Sequence, residues 1–223
     1  MQNINFKSLI LMETEDWIIL NKPSGMITES NPYEKSLQDN LFNYLKSTKK
    51  KPFVGIVHRL DKVTSGIIIF AKKKSILKVL NRMIEERKIK KSYQAIVYNK
   101  PEKDSDTLIN HLEKDPKSKR AIIHSEKTKN SKEAKLKYSL HKKSSYGYLL
   151  KIDLYTGRFH QIRAQLSNIN SPITGDHSYG GKRFDTIPSN SILLHACKLQ
   201  FPENTIGLPK SISSEIELPI EQG

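Results

Sequence analysis

A carboxylate and a guanidinium lie two positions apart, at Asp61 and Arg59, between two short apolar runs at 55–57 and 67–71. The Thr-Ser-Gly sequence at 64–66 is typical of a turn. A carboxylate held at the end of a strand can act as a nucleophile or stabilise a developing positive charge. At an unperturbed pKa of about 3.9 it is ionised at neutral pH, and a nearby arginine keeps it charged and oriented. Asp61 is therefore the first candidate for the reacting group; the alternative is that it only closes the turn.

Three further side chains could move protons or stabilise charge. Tyr93 lies on a predicted strand, and its phenol, with a reference pKa of about 10, needs an activating neighbour to serve as a base. His160 and Arg163 are three residues apart in a predicted helix, so they share roughly one side of it. The alternatives are a core tyrosine, a surface arginine and histidines that hold loops. For His58 and His160 we prefer this last interpretation, and we interpret His195 as structural.

The charge of the chain is large and unevenly distributed. Its 223 residues carry 38 Lys and Arg against 23 Asp and Glu, a formal net charge of +15. Residues 71–151 hold 23 basic and 9 acidic residues, so this third carries +14, whereas 1–70 carries +2 and 152–223 carries −1. Such a basic region attracts polyanions, and we expect nucleic acid. The alternative is a solvated surface that is merely rich in lysine.

Cysteine content and hydropathy exclude several function classes. The single cysteine, Cys197, cannot form an internal disulfide, and no Cys/His group has the spacing of metal ligands. The apolar stretch 6–12 is too short for a signal peptide or a membrane span. We therefore expect a soluble protein in a reducing compartment, with no metal. We also expect the protein to be cytoplasmic and monomeric.

Hydrophobic periodicity predicts the elements that must position these side chains. The predicted strands are 17–20, 55–57, 67–71, 91–98, 134–141, 148–154 and 192–201, and the predicted helices are 36–46, with Ser36 as N-cap, 75–87 and 159–169. Residues 99–133 have only short apolar pieces. We interpret them as exposed hairpins or as a basic, mobile insertion that contacts the polyanion.

Six groups of residues, in this order, resemble the motifs of the RluA-type pseudouridine synthases. They are Asn-Lys-Pro-Ser-Gly at 21–25, His-Arg-Leu-Asp and Thr-Ser-Gly within 58–66, Tyr-Gln-Ala at 93–95, Thr-Gly-Arg and His-Gln-Ile-Arg within 156–163, Pro-Ile, Gly-Asp and Tyr-Gly within 172–180, and Leu-His-Ala at 194–196. Each group is weak evidence alone. Together they extend from about Trp17 to Phe201, and they favour a catalytic Asp61 over a simple turn residue.

The resemblance implies an α+β fold with a mixed, mainly antiparallel central sheet, flanked by helices and loops, and an active-site cleft. It implies a single catalytic domain over residues 1–223 that isomerises uridine to pseudouridine in ribosomal or transfer RNA, without a cofactor. Asp61 then matches the catalytic aspartate. Tyr93 matches the tyrosine that stacks on the target base and is implicated in proton removal.

The resemblance also implies roles for several basic residues. Arg163 matches the arginine that pairs with the aspartate, and Arg59 matches the arginine that fills the space left by the flipped nucleotide. The further residues expected to contact the RNA are His58, Arg158, His160, Lys22, Lys72 and Lys73. Of these we expect Lys72 and Lys73 to be exposed lysines that contact phosphate.

The sequence departs from the RluA-type pattern at positions that border the expected site. The family commonly has Thr or Ser where Phe159 stands and His where Gln165 stands, and residues 62–63 also differ. These departures bear on substrate choice, because Asp61 and the other two catalytic side chains are kept. Many relatives also carry an N-terminal S4-type domain, and the residues before Trp17 cannot hold one, so we expect a stand-alone catalytic domain.

Two other functions remain open from the sequence. A non-catalytic RNA-binding or ribosome-associated protein could keep the same fold, although it has no need of Asp61, Tyr93 and Arg163 together. A nucleosidase or glycosidase could use Asp61 on the same glycosidic bond. Glycosidases usually need a second carboxylate close by, and none stands out near Asp61 in the sequence.

Overall fold

The computed structural model describes residues 5–47, 50–203 and 205–216. The chain divides into two compact units, of which unit 1 is Met1–Ile89 with Lys198–Ser214 and unit 2 is Lys90–Cys197 with Glu215–Gly223. The helices and strands are β1 (Ile10–Glu13), β2 (Trp17–Lys22), α1 (Leu37–Lys46), β3 (Gly55–Ile56), β4 (Ser65–Ala71), α2 (Lys74–Glu85), β5 (Lys90–Val97), β6 (Ser105–Asp115), β7 (Arg120–His124), β8 (Lys132–Ser144), β9 (Gly147–Leu154), α3 (Gln161–Asn168), β10 (Leu194–Gln200) and β11 (Ser211–Ser213). No helix within these described ranges is long and apolar enough to cross a bilayer.

The centre of unit 1 is the antiparallel pair of β2 and β4. Residues 17–20 and 67–71 are fully buried, which explains why both strands read as continuous apolar runs. Trp17 lies opposite Ala71 and Lys22 lies opposite Gly66. Because the end of β2 faces the start of β4, the loop after β2 and the loop before β4 lie at the same end of the pair.

The helices of unit 1 follow the predicted periodicity. Ser36 caps α1 as predicted: its hydroxyl accepts from the Asp39 backbone N–H, and the Asp39 carboxylate accepts from the Ser36 N–H. Leu37, Leu41 and Leu45 are buried, whereas Phe42, which also fits the helical spacing of apolar residues, is exposed. On α2, the same spacing buries its apolar side against β4 and the unit 1 core.

Unit 2 contains a five-stranded antiparallel sheet in the order β5-β9-β8-β6-β7. β8 and β9 contain the predicted strands 134–141 and 148–154, and they pair antiparallel. Within 99–133 the structure shows a regular hairpin, in which β6 pairs with β7 and buries Leu112 and Ala121. The antiparallel pairs and the flanking helices confirm the α+β prediction.

The last helix, α3, begins two residues later than the periodicity predicts. His160 precedes it with φ of 50°, in the left-handed region, so the helix cannot extend back to Phe159. Ala164 packs against Ala121 and Ala134, and the Gln165 amide donates to Asn110 Oδ1 at 2.8 Å. These contacts hold α3 against the sheet of unit 2.

Candidate active site

Asp61 lies in the connection between β3 and β4, as the sequence predicts. It opens a turn in which the Thr64 N–H donates to the Asp61 carbonyl at 3.0 Å. Asp61 is half-buried, and the preceding Leu60 is buried. The turn that Asp61 opens leads into β4, and a buried residue precedes it, so the backbone of Asp61 is anchored on both sides.

The loop that follows β2 holds the Asp61 segment on both sides. The Thr28 hydroxyl donates to the Leu60 carbonyl at 2.9 Å and accepts from the Leu60 N–H at 3.2 Å. The Gly25 N–H donates to the Lys62 carbonyl at 2.7 Å. Hydrogen bonds to the residues immediately before and after Asp61 fix its backbone, which is how a reacting group is preorganised.

Lys22 supports the same segment from inside the protein. Its side chain is fully buried, and its ammonium donates to the carbonyls of Pro23, Met26 and Lys62 at 3.0, 2.8 and 3.3 Å. Burial lowers the pKa of Lys22 to about 7, and the negative charge of Asp61 opposes part of that shift. Lys22 therefore ties the two loops together beside the carboxylate.

The residues just before Asp61 have separate environments. The His58 ring accepts a hydrogen bond from the Ile69 N–H through Nε2, at 3.3 Å, which agrees with our interpretation of a loop-holding histidine. Arg59 is exposed and forms an ion pair with Glu29 at 2.9 Å. An exposed ion pair of this kind contributes little to stability, so Glu29 holds Arg59 only weakly.

The expected exposure of Lys72 is wrong. Its ammonium is buried and bonds to the Glu13 carboxylate at 2.5 Å and to the Thr14 carbonyl at 2.6 Å. Lys73 is exposed as expected and pairs with Asp16 at 2.7 Å. The sequence shows three identical neighbouring lysines, and only the fold brings Glu13 to the first of them.

In unit 2, Tyr93 occupies the middle of β5. It is buried and pairs in register with Ile152 of β9. Burial alone fits a core tyrosine as well as a catalytic one, so its expected role stays a prediction.

Arg163 is a buried residue of α3, so the alternative of a surface arginine is wrong. Nε donates to Asp176 Oδ2 at 2.7 Å and Nη2 to Oδ1 at 2.9 Å. Its guanidinium carbon also lies 4.9 Å from the centre of the Tyr179 ring. We assigned no role to Asp176 or Tyr179 from the sequence, although both lie in the motif at 172–180. A carboxylate in the same motif set as a candidate arginine was the available signal.

His160 and Arg158 lie at the start of α3. His160 Nδ1 and the Tyr179 hydroxyl are 3.1 Å apart, so His160 and Arg163 both contact Tyr179, although His160 lies outside the helix in which their spacing was expected to place both. Arg158 Nε donates to the Glu133 carbonyl at 2.8 Å. The loop that carries Tyr179 is closely packed: a Cβ on Gly181 would lie 1.9 Å from the Ile173 carbonyl oxygen, so only glycine fits there.

The chemistry available to these groups is that of charge stabilisation and nucleophilic attack. Within the described ranges, no group of three or more His, Cys, Asp or Glu residues could hold a metal ion. Asp61 is the carboxylate whose backbone the surrounding hydrogen bonds hold in place.

Comparisons with known proteins agree with the motifs. The model of the RNA pseudouridylate synthase family matches residues 16–168. The chain is 35% identical over 205 residues to ribosomal large subunit pseudouridine synthase C of Buchnera aphidicola subsp. Baizongia pistaciae, covering 89% of this chain and 64% of that protein. It is 31% identical over 241 residues to an uncharacterized RNA pseudouridine synthase of Chlorobaculum parvum, covering 96% of this chain and 73% of that protein.

A solved structure shares the fold. Human RNA pseudouridylate synthase domain containing 1 superposes with a TM-score of 0.76 at 21% identity, covering 96% of this chain and 86% of that one. The chain spans just under two thirds of the length of the Buchnera relative. The family match extends over most of the chain and includes Asp61, Tyr93 and Arg163. The chain therefore belongs to the RNA pseudouridylate synthase family, as its RluA-type motifs predicted.

Proposed function

We propose that the chain is an RNA pseudouridine synthase that converts specific uridines of structured RNA to pseudouridine without a cofactor. The observation that carries the proposal is the fixed position of half-buried Asp61, whose neighbours Leu60 and Lys62 are held by hydrogen bonds from Thr28 and Gly25. The names of the relatives make large-subunit ribosomal RNA the first substrate to test, with transfer RNA as the second.

The reaction is an isomerisation in which no atom is gained or lost overall. The bond between C1′ of the ribose and N1 of uracil breaks, the base turns, and a bond forms between C1′ and C5. The C5 proton then leaves and N1 gains a proton. We propose that the Asp61 carboxylate attacks C1′ or the base, or stabilises the positive charge that develops on the sugar.

Tyr93 and Arg163 would act on the same uridine. Tyr93 would stack on the base and assist removal of the C5 proton, which requires a neighbour that makes the phenol a stronger base. Arg163 would have the catalytic role of the arginine that the resemblance matches to it. Its bidentate bond to Asp176 supports this proposal, because it fixes the plane of the guanidinium before the substrate arrives.

The target base must leave its stack before Asp61 can reach it. Extrusion costs a few kcal/mol, and Arg59 is suited to offset it because its exposed guanidinium can stack on bases or bond to phosphates. We propose RNA contacts also for His58, Arg158, His160 and the exposed Lys73. For the buried Lys22 and Lys72 we propose a supporting role in place of direct contact.

We further propose that both units serve one catalytic activity, and that the protein works as a monomer in the cytoplasm, where ribosomal and transfer RNA function. The basic third of the chain supports the RNA partner. Sedimentation of the purified protein, with and without RNA, tests the monomer.

The experiment is a tritium-release assay on RNA labelled at C5 of uridine, together with mapping of pseudouridine in total RNA from a deletion strain and its parent. Release of tritium, and the loss of specific pseudouridines in the deletion strain, support the proposal. RNA binding without tritium release would favour a non-catalytic RNA-binding protein. Free uracil among the products would favour a nucleosidase.

A further inference from the structure

An exposed aromatic platform lies next to the start of α3. The Phe159 side chain stacks on the His160 ring, with the ring centres 3.8 Å apart and the planes inclined by 19°. His160 is itself held at Nδ1 by the Tyr179 hydroxyl, which also accepts from the Ala121 N–H at 2.7 Å. Phe159 nevertheless remains 36% exposed. A large apolar ring is therefore presented to solvent on a rigid support.

A cation lies over the same ring. Lys114 Nζ is 4.9 Å from the centre of the Phe159 ring, and Lys114 is exposed. Because the His160 ring at 3.8 Å occupies one face of Phe159, the ammonium lies over the other. A lysine on a flexible stem can leave this position without disturbing the fold, which opens that face to a planar ligand.

The surroundings are strongly basic. Residues 114–120 contain three lysines and one arginine against one acidic residue, Asp115. The Asp115 carboxylate accepts hydrogen bonds from Lys117 N–H, Ser118 N–H and the Ser118 hydroxyl, so it is engaged in its own turn. Arg120 is exposed and lies over the Tyr179 ring at 4.9 Å. The positive charges here are those that flanking phosphates would neutralise.

We propose that Phe159 is a stacking site for an unpaired nucleobase of the substrate RNA, with Lys114 and Arg120 contacting the phosphates beside it. A base offers a flat π-face and each nucleotide carries a phosphate, which matches one aromatic ring among several cations. This inference rests on the proposed function, and it concerns substrate choice, because Phe159 is a position at which the chain departs from the RluA-type pattern.

The test compares two single-stranded RNAs of equal length and charge, one oligouridine and one in which abasic riboses replace all the bases. The wild-type protein should bind the base-bearing strand more tightly. Phe159→Ala should lower the ratio of the two affinities by about tenfold, which corresponds to one lost base–aromatic stack. Lys114→Ala should weaken the binding of both strands equally. It should also reduce the salt dependence of binding by about one phosphate contact.

Tyr155→Ala is the matched control. Tyr155 is also exposed and has a lysine over its ring, Lys135 at 5.4 Å. The control should keep the wild-type affinity ratio. If Phe159→Ala also keeps that ratio while wild type binds RNA, the stacking site is overturned and the proposed function stands; if wild type binds neither strand nor ribosomal RNA, the proposed function fails as well.

A gain-of-signal variant does not depend on a loss of binding. Phe159→Trp keeps a stacking surface and should retain the affinity ratio. Its fluorescence should be quenched by oligouridine and not by the abasic strand, against a background from Trp17, which is fully buried. An unquenched signal at saturating oligouridine contradicts the stacking site.

Discussion

Arg163 and Asp176 form a bidentate ion pair inside unit 2, with Nε to Oδ2 at 2.7 Å and Nη2 to Oδ1 at 2.9 Å. Both side chains are buried, at 6% and 1% relative exposure. The pair links α3 to the loop that carries Tyr179, whose ring the guanidinium also contacts. The orientation of Arg163 is therefore set by the protein itself.

Breaking this ion pair should destabilise the folded protein. Arg163→Met leaves the Asp176 carboxylate buried without its partner, so we expect the free energy of unfolding to fall by about 3–5 kcal/mol in urea denaturation. The double variant Arg163→Met/Asp176→Leu removes both charges and should recover much of that loss. A single variant within about 1 kcal/mol of wild type would mean that the pair contributes little.

Lys22 should make stability rise with pH. Its pKa is about 7 in the folded protein against 10.5 for an ordinary lysine, so between these values the unfolded chain binds more protons. Unfolding free energy should then increase by up to about 1.4 kcal/mol per pH unit above pH 7 from this group. Urea denaturation should show that Lys22→Met loses this slope and that the exposed-residue control Lys78→Met keeps it. Equal slopes of unfolding free energy against pH in wild type and Lys22→Met would contradict the lowered pKa of Lys22.

His195 should make the protein sensitive to acid. Burial lowers its pKa to about 4 from 6.5, so the folded protein keeps it neutral where the unfolded chain binds a proton. Its contribution to stability is complete above pH 6.5 and is lost as the pH falls toward 4, by up to about 3 kcal/mol. His195→Gln should flatten this part of the stability curve, whereas His141→Gln, at an exposed position, should leave it as in wild type.

RNA affinity should decrease steeply with salt. The residues 71–151 carry +14, and each phosphate that they neutralise releases counterions. Fluorescence anisotropy of a labelled ribosomal RNA fragment across a potassium chloride series should give a linear fall of log K with log salt concentration. An affinity that does not change with salt concentration would contradict RNA binding through phosphate contacts.

Continuous apolar runs and capping signals made much of unit 1 predictable. The strands β2 and β4 and the Ser36 cap of α1 depend on residues adjacent in the chain. The position of Asp61 followed for the same reason, because it stands between two such runs.

What the sequence did not indicate depends on contacts between distant residues. The sequence does not distinguish the buried Lys72 from its exposed neighbour Lys73. The burial of Lys72 depends on Glu13, 59 residues earlier. The left-handed conformation of His160 shortens α3 and frees Phe159 from the helix, which periodicity alone does not show. Asp176 becomes the partner of Arg163 only because a turn brings it back to α3.

The most direct test of the proposed activity is single-turnover tritium release by Asp61→Asn on C5-labelled ribosomal RNA. The amide keeps the size of the side chain but cannot attack or carry a negative charge, so we expect no detectable release, with folding and RNA affinity close to wild type. Asp153→Asn, which changes an exposed carboxylate bonded to Ser92 on the neighbouring strand, should release tritium at the wild-type rate. Release by Asp61→Asn at a rate near that of wild type would contradict the account.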